Sequence, residues 1–156
     1  MGGKPIYLGV DPGATGGICY VQGICIVKYT LANRTERDVL DFLEGLPDWN
    51  ISAAIEYINP SIFGADKSAC SKLYGSFKAL RMALTATKIP FHEVKPSVWQ
   101  RAVGVSPRPP RMTQSRWKAR LRTRAQEIYP REKITLAVSD ALLIATYLKQ
   151  KNNELV

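Results

Sequence analysis

Three acidic residues stand at positions where a carboxylate is costly unless it binds a partner. Asp11 follows the apolar residues 6–10, and Glu56 follows the largely apolar residues 51–55. Asp140 lies in a helical pattern whose residues one turn before and one turn after it are apolar. Burying an ionised carboxylate costs several kcal/mol when it has no counter-charge or cation. These three acids are therefore the first candidates for a functional site.

The chemistry that such a set supports is metal chemistry. Carboxylates without histidine or cysteine form a hard-oxygen ligand set, which suits Mg²⁺ or Mn²⁺. Two such ions can activate a water and stabilise the leaving oxygen in an in-line attack on a phosphate. The acids converge if the strands ending at Asp11 and Glu56 are neighbours and the helix of Asp140 crosses them. Each acid also has an ordinary explanation: a turn cap for Asp11, an arginine partner for Glu56 and an N-cap role for Asp140.

The basic charge of the chain is concentrated in one stretch. Lys and Arg number 22 against 13 Asp and Glu, which gives a net charge of +9 and an isoelectric point near 9.6. Between Glu93 and Glu127 there is no acid, and outside this stretch bases and acids are equal in number. Such segregation favours a nucleic-acid partner over the alternatives, a solvated surface or a disordered basic arm. The candidate DNA-binding residues are Lys95, Arg101, Arg108, Arg111, Arg116, Lys118, Arg120, Arg122 and Arg124.

Length and composition exclude several classes of protein. A chain of 156 residues has the length of one domain, here residues 1–156, and its 46% hydrophobic content excludes wholesale disorder. No apolar run reaches the ~18 residues of a membrane span. The first residues favour a strand over an apolar leader. Three cysteines are too few for a disulfide framework and lack metal-binding spacing. We therefore expect a cytoplasmic or nucleoid-associated protein of a phage, a bacterium or an organelle.

The elements that must position the acids follow from apolar runs and turn residues. Strands are predicted, the first three as an antiparallel meander, at residues 6–10, 18–21, 24–27, 51–56 and 90–94. Helices are predicted at residues 33–47, 68–88, 97–103, 113–129 and 135–150. The first helix has a capping-box pattern at Thr35 and Asp38. Residues 106–111 contain three prolines and predict a basic loop. This order predicts a mixed α/β sheet covered by helices.

Other residues are weaker candidates. Ile62 and Phe63 follow the Glu56 strand and could form an apolar wedge at a DNA junction, or pack as an ordinary loop. Trp117 interrupts the basic run and could stack on a base or sugar, but at helical spacing it could equally anchor its helix to the core. Cys19 and Cys25 are expected in the core of the meander.

The order of the motifs resembles a known family. Residues 8–17 (LGVDPGATGG), 53–57 (AAIEY) and 139–147 (SDALLIATY) resemble the three acidic motifs of the RuvC-like Holliday-junction resolvases, in the ribonuclease H-like superfamily. Residues 94–104 (VKPSVWQRAVG), followed by Lys118-x-x-x-Arg122, are closer still to the phage and chloroplast branch. The resemblance spans nearly the whole chain in motif order.

The resemblance implies a fold, a site and an assembly. The fold is a single ribonuclease H-like α/β domain with a five-stranded mixed sheet, in the order 3-2-1-4-5, flanked by helices. Asp11, Glu56 and Asp140 match the metal-binding catalytic acids of the family. Lys118 resembles the catalytic basic residue near the scissile bond. Two Mg²⁺ per site are implied, with Mn²⁺ able to substitute, in a homodimer that acts on branched DNA.

One position departs from the bacterial members of the family. They carry an acid or a histidine one turn before the last aspartate, where this chain has Ala137. Either the second metal is held more loosely, or another group such as Glu132 or Ser139 takes part.

Three other functions remain open. The DPGATGG sequence also resembles the phosphate loop of actin-like and sugar-kinase ATPases, but those proteins need two such domains around a cleft. A different ribonuclease H-like nuclease, acting on forks, flaps or RNA–DNA hybrids, would share the chemistry. A non-catalytic DNA-binding module would share the basic surface.

The hypothesis that uses most of these residues is a Holliday junction resolvase of DNA recombination and repair. It would be a Mg²⁺-dependent, structure-selective endodeoxyribonuclease that makes paired symmetric nicks in four-way junctions. Attack by a metal-activated water would leave 5′-phosphate and 3′-hydroxyl ends. Neither a nucleotide cofactor nor a membrane is expected to take part.

Overall fold

The chain builds one five-stranded sheet from separate parts of the sequence. The computed structural model describes residues 3–47, 50–63 and 67–153. The strands are β1 (Ile6–Asp11), β2 (Gly17–Gln22), β3 (Cys25–Thr30), β4 (Ile51–Glu56) and β5 (Phe91–Val94). Across the sheet they follow the order β3-β2-β1-β4-β5. The strand β2 is antiparallel to both of its neighbours, β1 and β3, and β4 is parallel to both of its neighbours, β1 and β5. The predicted mixed sheet and its order are confirmed.

The helices begin at the local signals of the sequence. They are α1 (Glu36–Glu44), α2 (Lys67–Ala86), α3 (Pro96–Ala102), α4 (Gln114–Ile128) and α5 (Leu136–Asn153). At the start of α1 the Thr35 hydroxyl accepts a bond from the Asp38 backbone, and the Asp38 carboxylate accepts one from the Thr35 backbone at 2.7 Å. The predicted capping box is therefore present. Pro96 opens α3, where its missing N–H is not needed.

Strand alternation sorts the side chains of the sheet onto two faces. Tyr7 and Ala54 belong to a core shared with α3, α4 and α5. Leu8 and Ile55, their direct neighbours in sequence, belong to a second core shared with α1 and α2. We call the side with α3, α4 and α5 the closed face, and the side with α1 and α2 the open face.

Two glycines allow α5 to lie directly on the sheet. A Cβ atom at Gly9 of β1 would lie 2.0 Å from the carbonyl oxygen of Ala141, and one at Gly17 of β2 would lie 2.6 Å from that of Ala137. Only glycine therefore permits this approach at either position. Every residue of α5 from 138 to 148 is buried between the sheet and the neighbouring helices. This contact fixes the start of α5, which carries Asp140, close to the ends of the central strands.

The third strand differs from its prediction. It begins at Cys25, and Ile24 lies in the preceding turn with 97% of its surface exposed. Cys19 is buried as expected, but Cys25 is exposed, so its assignment to the core was wrong. The physical reason is that β3 is an edge strand, and Cys25 pairs with Gln22 at the exposed turn where this strand begins. Within the described ranges, no helix has the length and apolar character needed to cross a membrane.

Candidate active site

Asp11 and Glu56 end neighbouring strands and point to the same face. Each is the last residue of its strand, and β1 and β4 pair in parallel. Alternation places Asp11 on the side of Gly9, which touches α5, and Glu56 on the side of Ala54, which belongs to the closed-face core. Only 6% of Asp11 is exposed. The two carboxylates therefore lie together at the carboxyl-terminal edge of the central strands, facing the helices of the closed face.

The helices α4 and α5 bring a base and a third acid to this edge. Asp140, near the start of α5, is 2% exposed. One of its carboxylate oxygens accepts a hydrogen bond from the ammonium group of Lys118 in α4, and the pair forms a salt bridge. Its other oxygen, Oδ1, accepts a bond from the Ser139 hydroxyl at 3.2 Å. Both oxygens of this buried acid are therefore engaged.

Glu56 is held by a residue that the sequence reasoning did not single out. Trp99 of α3 is fully buried, and its Nε1 donates to Oε2 of Glu56 at 2.8 Å. Because the indole is a donor only, this contact fixes one oxygen of Glu56 and requires nothing from the other. A signal for it existed in the sequence, since a buried tryptophan needs an acceptor.

Burial and mutual repulsion raise the pKa values of the acids. Burial raises the pKa of Asp11 well above its usual value, and the charges of Glu56 and Asp140 raise it further. Burial and the charge of Asp140 raise the pKa of Glu56 to about 7, against the opposing effects of Trp99 and Lys118. Burial lowers the pKa of Lys118, but the three acids outweigh this effect, so its pKa is raised. The cluster thus holds an excess of negative charge that one ammonium group offsets only in part.

The donor set suits a hard divalent cation but is not a ready-made chelate. The three acids offer only oxygen ligands, and a cation would relieve the repulsion that raises the pKa of Asp11. Among the residues that the structure describes, no group of three or more acidic, histidine or cysteine side chains is arranged to hold a metal ion. Lys118 and Trp99 each occupy a carboxylate oxygen that a cation would otherwise use. A cation bound here must therefore compete with Lys118 for Asp140.

The two substitutes considered for the departure at Ala137 lie in different surroundings. The carboxylate of Glu132 forms a salt bridge with Lys28 of β3. Ser139 instead touches Asp140 directly. Of the two residues, Ser139 is the one that contacts a candidate metal-binding acid.

The basic residues between Glu93 and Glu127 form two groups: some form hydrogen bonds within the protein, and the others are exposed. Arg124 donates from Nε to the carbonyl of Val103 at 2.7 Å, which ties α4 to the end of α3. Arg108 donates to the carbonyl of Met112 and so closes the proline-rich loop. Lys118 reaches the acids, as described above. The remaining predicted DNA-binding residues are exposed: Lys95, Arg101, Arg111, Arg116, Arg120 and Arg122.

The three candidate wedge or stacking residues have different outcomes. Trp117 is 5% exposed and packs in the closed-face core with Leu121 and Ala125, because all three share the inward face of α4. The prediction that it stacks on DNA was wrong, and its role as a core anchor is the correct one. Ile62 and Phe63 lie in the 3₁₀ turn Pro60–Phe63, and their side chains lie outside the described part of the structure.

These observations define a class of protein architecture. A five-stranded mixed sheet in the order β3-β2-β1-β4-β5, with helices on both of its faces, is the ribonuclease H-like fold. Within this class, the structure is similar to that of Thermus thermophilus RuvC in complex with a Holliday junction substrate. The two have a TM-score of 0.63 and 18% sequence identity, over 96% of each chain.

A second structure of Thermus thermophilus RuvC gives the same result. Its TM-score is 0.54 and its sequence identity 16%, over 94% of this chain and 96% of that one. The sequence matches no protein-family model, and the comparison with curated proteins gives no match either. The predicted resemblance to RuvC is therefore confirmed as a likeness of fold over nearly the whole chain.

Proposed function

We propose that the chain is a metal-dependent DNA endonuclease that resolves Holliday junctions, with residues 1–156 as its nuclease domain. The observation that carries the proposal is the cluster of Asp11, Glu56, Asp140 and Lys118 at the edge of the central strands. A basic surface beside such a cluster favours a phosphodiester substrate. The exposed bases of α3 and α4 would bind the DNA backbone and supply affinity without sequence information.

The residues of the site have distinct parts in phosphodiester hydrolysis. Mg²⁺, which Mn²⁺ can replace, supplies water activation and charge stabilisation when bound, two ions per site in the full form of the proposal. Asp11, Glu56 and Asp140 would hold it, and Trp99 keeps the Glu56 carboxylate in place. Lys118, once displaced from Asp140, is free to stabilise the negative charge that develops on the phosphate oxygens. Attack of water on phosphorus then breaks the bond to the 3′ oxygen and leaves 5′-phosphate and 3′-hydroxyl ends.

The proposed assembly is a homodimer. A four-way junction offers two equivalent strands, and a two-fold symmetric dimer offers two equivalent sites. Paired symmetric nicks in opposite strands follow from this match. The expected setting is recombination and repair of DNA in a cytoplasm or nucleoid.

A nuclease for forks, flaps or RNA–DNA hybrids is the second candidate. The same acids would serve it, because the buried cluster recognises a phosphodiester and not the branching of its substrate. The exposed bases decide between the two candidates, since their spacing must follow the path of the DNA strands.

A nicking assay on a panel of substrates tests the proposal. The panel contains a mobile four-way junction, a fork, a flap, a linear duplex and an RNA–DNA hybrid, each with Mg²⁺ and with EDTA. We expect Mg²⁺-dependent nicks at symmetric positions of the junction, far slower cleavage of the linear duplex and no ATP turnover. An Asp11→Asn protein purified in parallel controls for contaminating nucleases. Preferential cleavage of the fork, flap or hybrid would favour the second candidate, and ATP hydrolysis without DNA would favour the kinase-type alternative.

A further inference from the structure

A groove begins at the acids at the ends of β1 and β4 and extends along the open face. Its volume is about 740 Å³, within the ~300–1,000 Å³ range of ligand sites. One end is lined by Asp11, Glu56 and Lys118. From there it passes the glycine-rich turn at residues 12–16 to side chains at the start of α1 and along α2. The groove therefore leads from the acids and α4, which contributes Gln114 and Lys118 to its lining, towards α1 and α2 on the open face.

Two bases line this groove outside the acid-free stretch. Arg34 precedes α1, and its guanidinium lies 4.9 Å from the centre of the Tyr29 ring. Lys72 is exposed on α2. Of the two acids in the first turn of α1, Glu36 lines the groove and Asp38 has its carboxylate engaged in the capping box. Beyond the catalytic end, the lining thus has two cations and one acid.

The α2 wall of the groove has several small side chains beside the larger Lys72, Leu73 and Leu80. Gly75, Ser76 and Ala79 line it, and the Ser76 hydroxyl accepts a bond from the Gly13 N–H at 3.0 Å, which ties the turn to α2. A Cβ atom at Gly75 would meet nothing within 4 Å. These small side chains leave room for a flat, partly apolar group such as a nucleotide, in a groove that Arg34 and Lys72 also line.

We propose that this groove binds the DNA strand on one side of the scissile phosphate, with Arg34 and Lys72 contacting its phosphates. The exposed bases of α3 and α4 bind the strand on the other side. The inference rests on the proposed nuclease function and extends it, because every basic DNA contact predicted from the sequence lies between residues 95 and 124. A strand fits better than a small anion, since the groove is extended, continuous with the acids and both cationic and apolar.

The first test compares two equal removals of charge in an Asp11→Asn background, which prevents cleavage. Arg34→Ala with Lys72→Ala removes the groove bases. Arg37→Ala with Lys78→Ala is the matched control, since Arg37 pairs with Asp41 and neither base lines the groove. The measurement is the Kd for a four-way junction as a function of KCl concentration.

The groove pair should reduce the slope of log Kd against log salt by about 1–2 and weaken binding roughly 10-fold at moderate salt. The control pair should produce less than half of either change. Equal slopes and affinities for the two pairs would overturn the proposal.

A steric variant provides a second, independent test. Gly75→Trp fills the groove, and Gln150→Trp places the same side chain at an exposed position near the end of α5. With Asp11 intact, Gly75→Trp should slow junction cleavage at least ~10-fold through displacement of the strand, with a melting temperature close to that of the control. Cleavage at the control rate would overturn the proposal. If the unmodified protein nicks no DNA, the proposed function has failed; if it nicks and the variants match their controls, only this inference has failed.

Discussion

The two faces of the sheet are covered in different ways. On the closed face, α5 is buried along every residue from 138 to 148, between the sheet and its neighbouring helices. On the open face, α2 is slightly longer, yet its buried residues are only Phe77, Leu80 and Leu84. The candidate catalytic side chains are held by the closed face, whereas the groove extends from three of them, Asp11, Glu56 and Lys118, along the open face.

The two faces therefore have different roles: the closed face holds the acids in position, and the open face leaves them accessible to a substrate. A carboxylate buried near two others destabilises the fold, so it stays in place only where close packing and hydrogen bonds over-determine it. The closed face supplies this through Trp99 on Glu56 and through Lys118 and Ser139 on Asp140. The open face leaves the same edge accessible to a substrate. The following changes test this division, from the largest expected effect to the smallest.

Asp11→Asn should abolish cleavage, by more than ~10³-fold, because it removes a proposed metal ligand and a charge at the shared edge. Junction affinity should stay the same or rise, since a negative charge near the DNA is lost. Cleavage and gel-shift assays on the same junction measure both effects. A parallel loss of binding would mean that Asp11 supports the fold instead of the chemistry.

Lys118→Ala should slow cleavage by ~10²-fold, the magnitude typical of one lost transition-state contact, with a smaller loss of affinity. The matched control is Arg122→Ala, which removes an exposed basic side chain one turn further along α4. This variant should weaken junction binding more than it slows cleavage by the enzyme–junction complex. Single-turnover rates at saturating enzyme separate the two effects. If both variants lose rate and affinity in the same ratio, Lys118 is an ordinary phosphate contact.

Trp99→Phe should lower the single-turnover rate by roughly 10-fold, because Glu56 loses the donor that orients it, and leave junction affinity unchanged. Trp117→Phe, in the same core but outside the described contact with Glu56, serves as the control for packing. The variant should also need more Mg²⁺ for half-maximal rate and bind Mn²⁺ more weakly by electron paramagnetic resonance. If Trp99→Phe and Trp117→Phe have similar melting temperatures and also the same cleavage rate and Mg²⁺ dependence, Trp99 acts only as a core residue.

Glu56→Gln should stabilise the metal-free protein at high pH. The pKa of Glu56 is raised from 4.5 to about 7, so the folded state binds more protons than the unfolded state in this window. Stability contributed by the protonated acid is thus lost as pH rises from about 4.5 to about 7. At pH 8 in EDTA the variant should be more stable, by on the order of 1–3 kcal/mol, and the gain should vanish near pH 4.5. A gain of the same size at both pH values would exclude titration of Glu56 as its cause.

The sequence predicted what depends on neighbours along the chain. Alternation in the strands, the capping box at Thr35 and the apolar surroundings of Asp140 are local patterns, and they predicted the sheet, α1 and the candidate acids. The acids come together because Gly9 admits α5 against β1. That close approach could not be predicted, since a glycine in a strand has several possible causes.

The features that could not be predicted from the sequence are contacts between residues that are far apart along the chain. Trp99 and Glu56 are separated by 43 positions and meet only because α3 returns over the end of β4. Arg124 was predicted as a DNA contact, and its bond to the Val103 carbonyl, which ties α4 to the end of α3, has no local signal in the sequence. Trp117 had two interpretations because spacing alone does not say which face of α4 is covered. Arg34 and Lys72 lie outside the basic stretch, so only the fold brings them into the groove that Asp11 and Glu56 line at one end.

The most direct test of the proposal that Asp11, Glu56 and Asp140 bind a metal is a crystal structure of the protein soaked in Mn²⁺, with anomalous scattering used to locate the ion. We expect anomalous density in contact with at least two of Asp11, Glu56 and Asp140, with the Lys118 ammonium displaced from Asp140. If no anomalous density is found at this edge at a saturating concentration of Mn²⁺, and the Lys118–Asp140 pair is intact, the proposal that these acids bind a metal is contradicted.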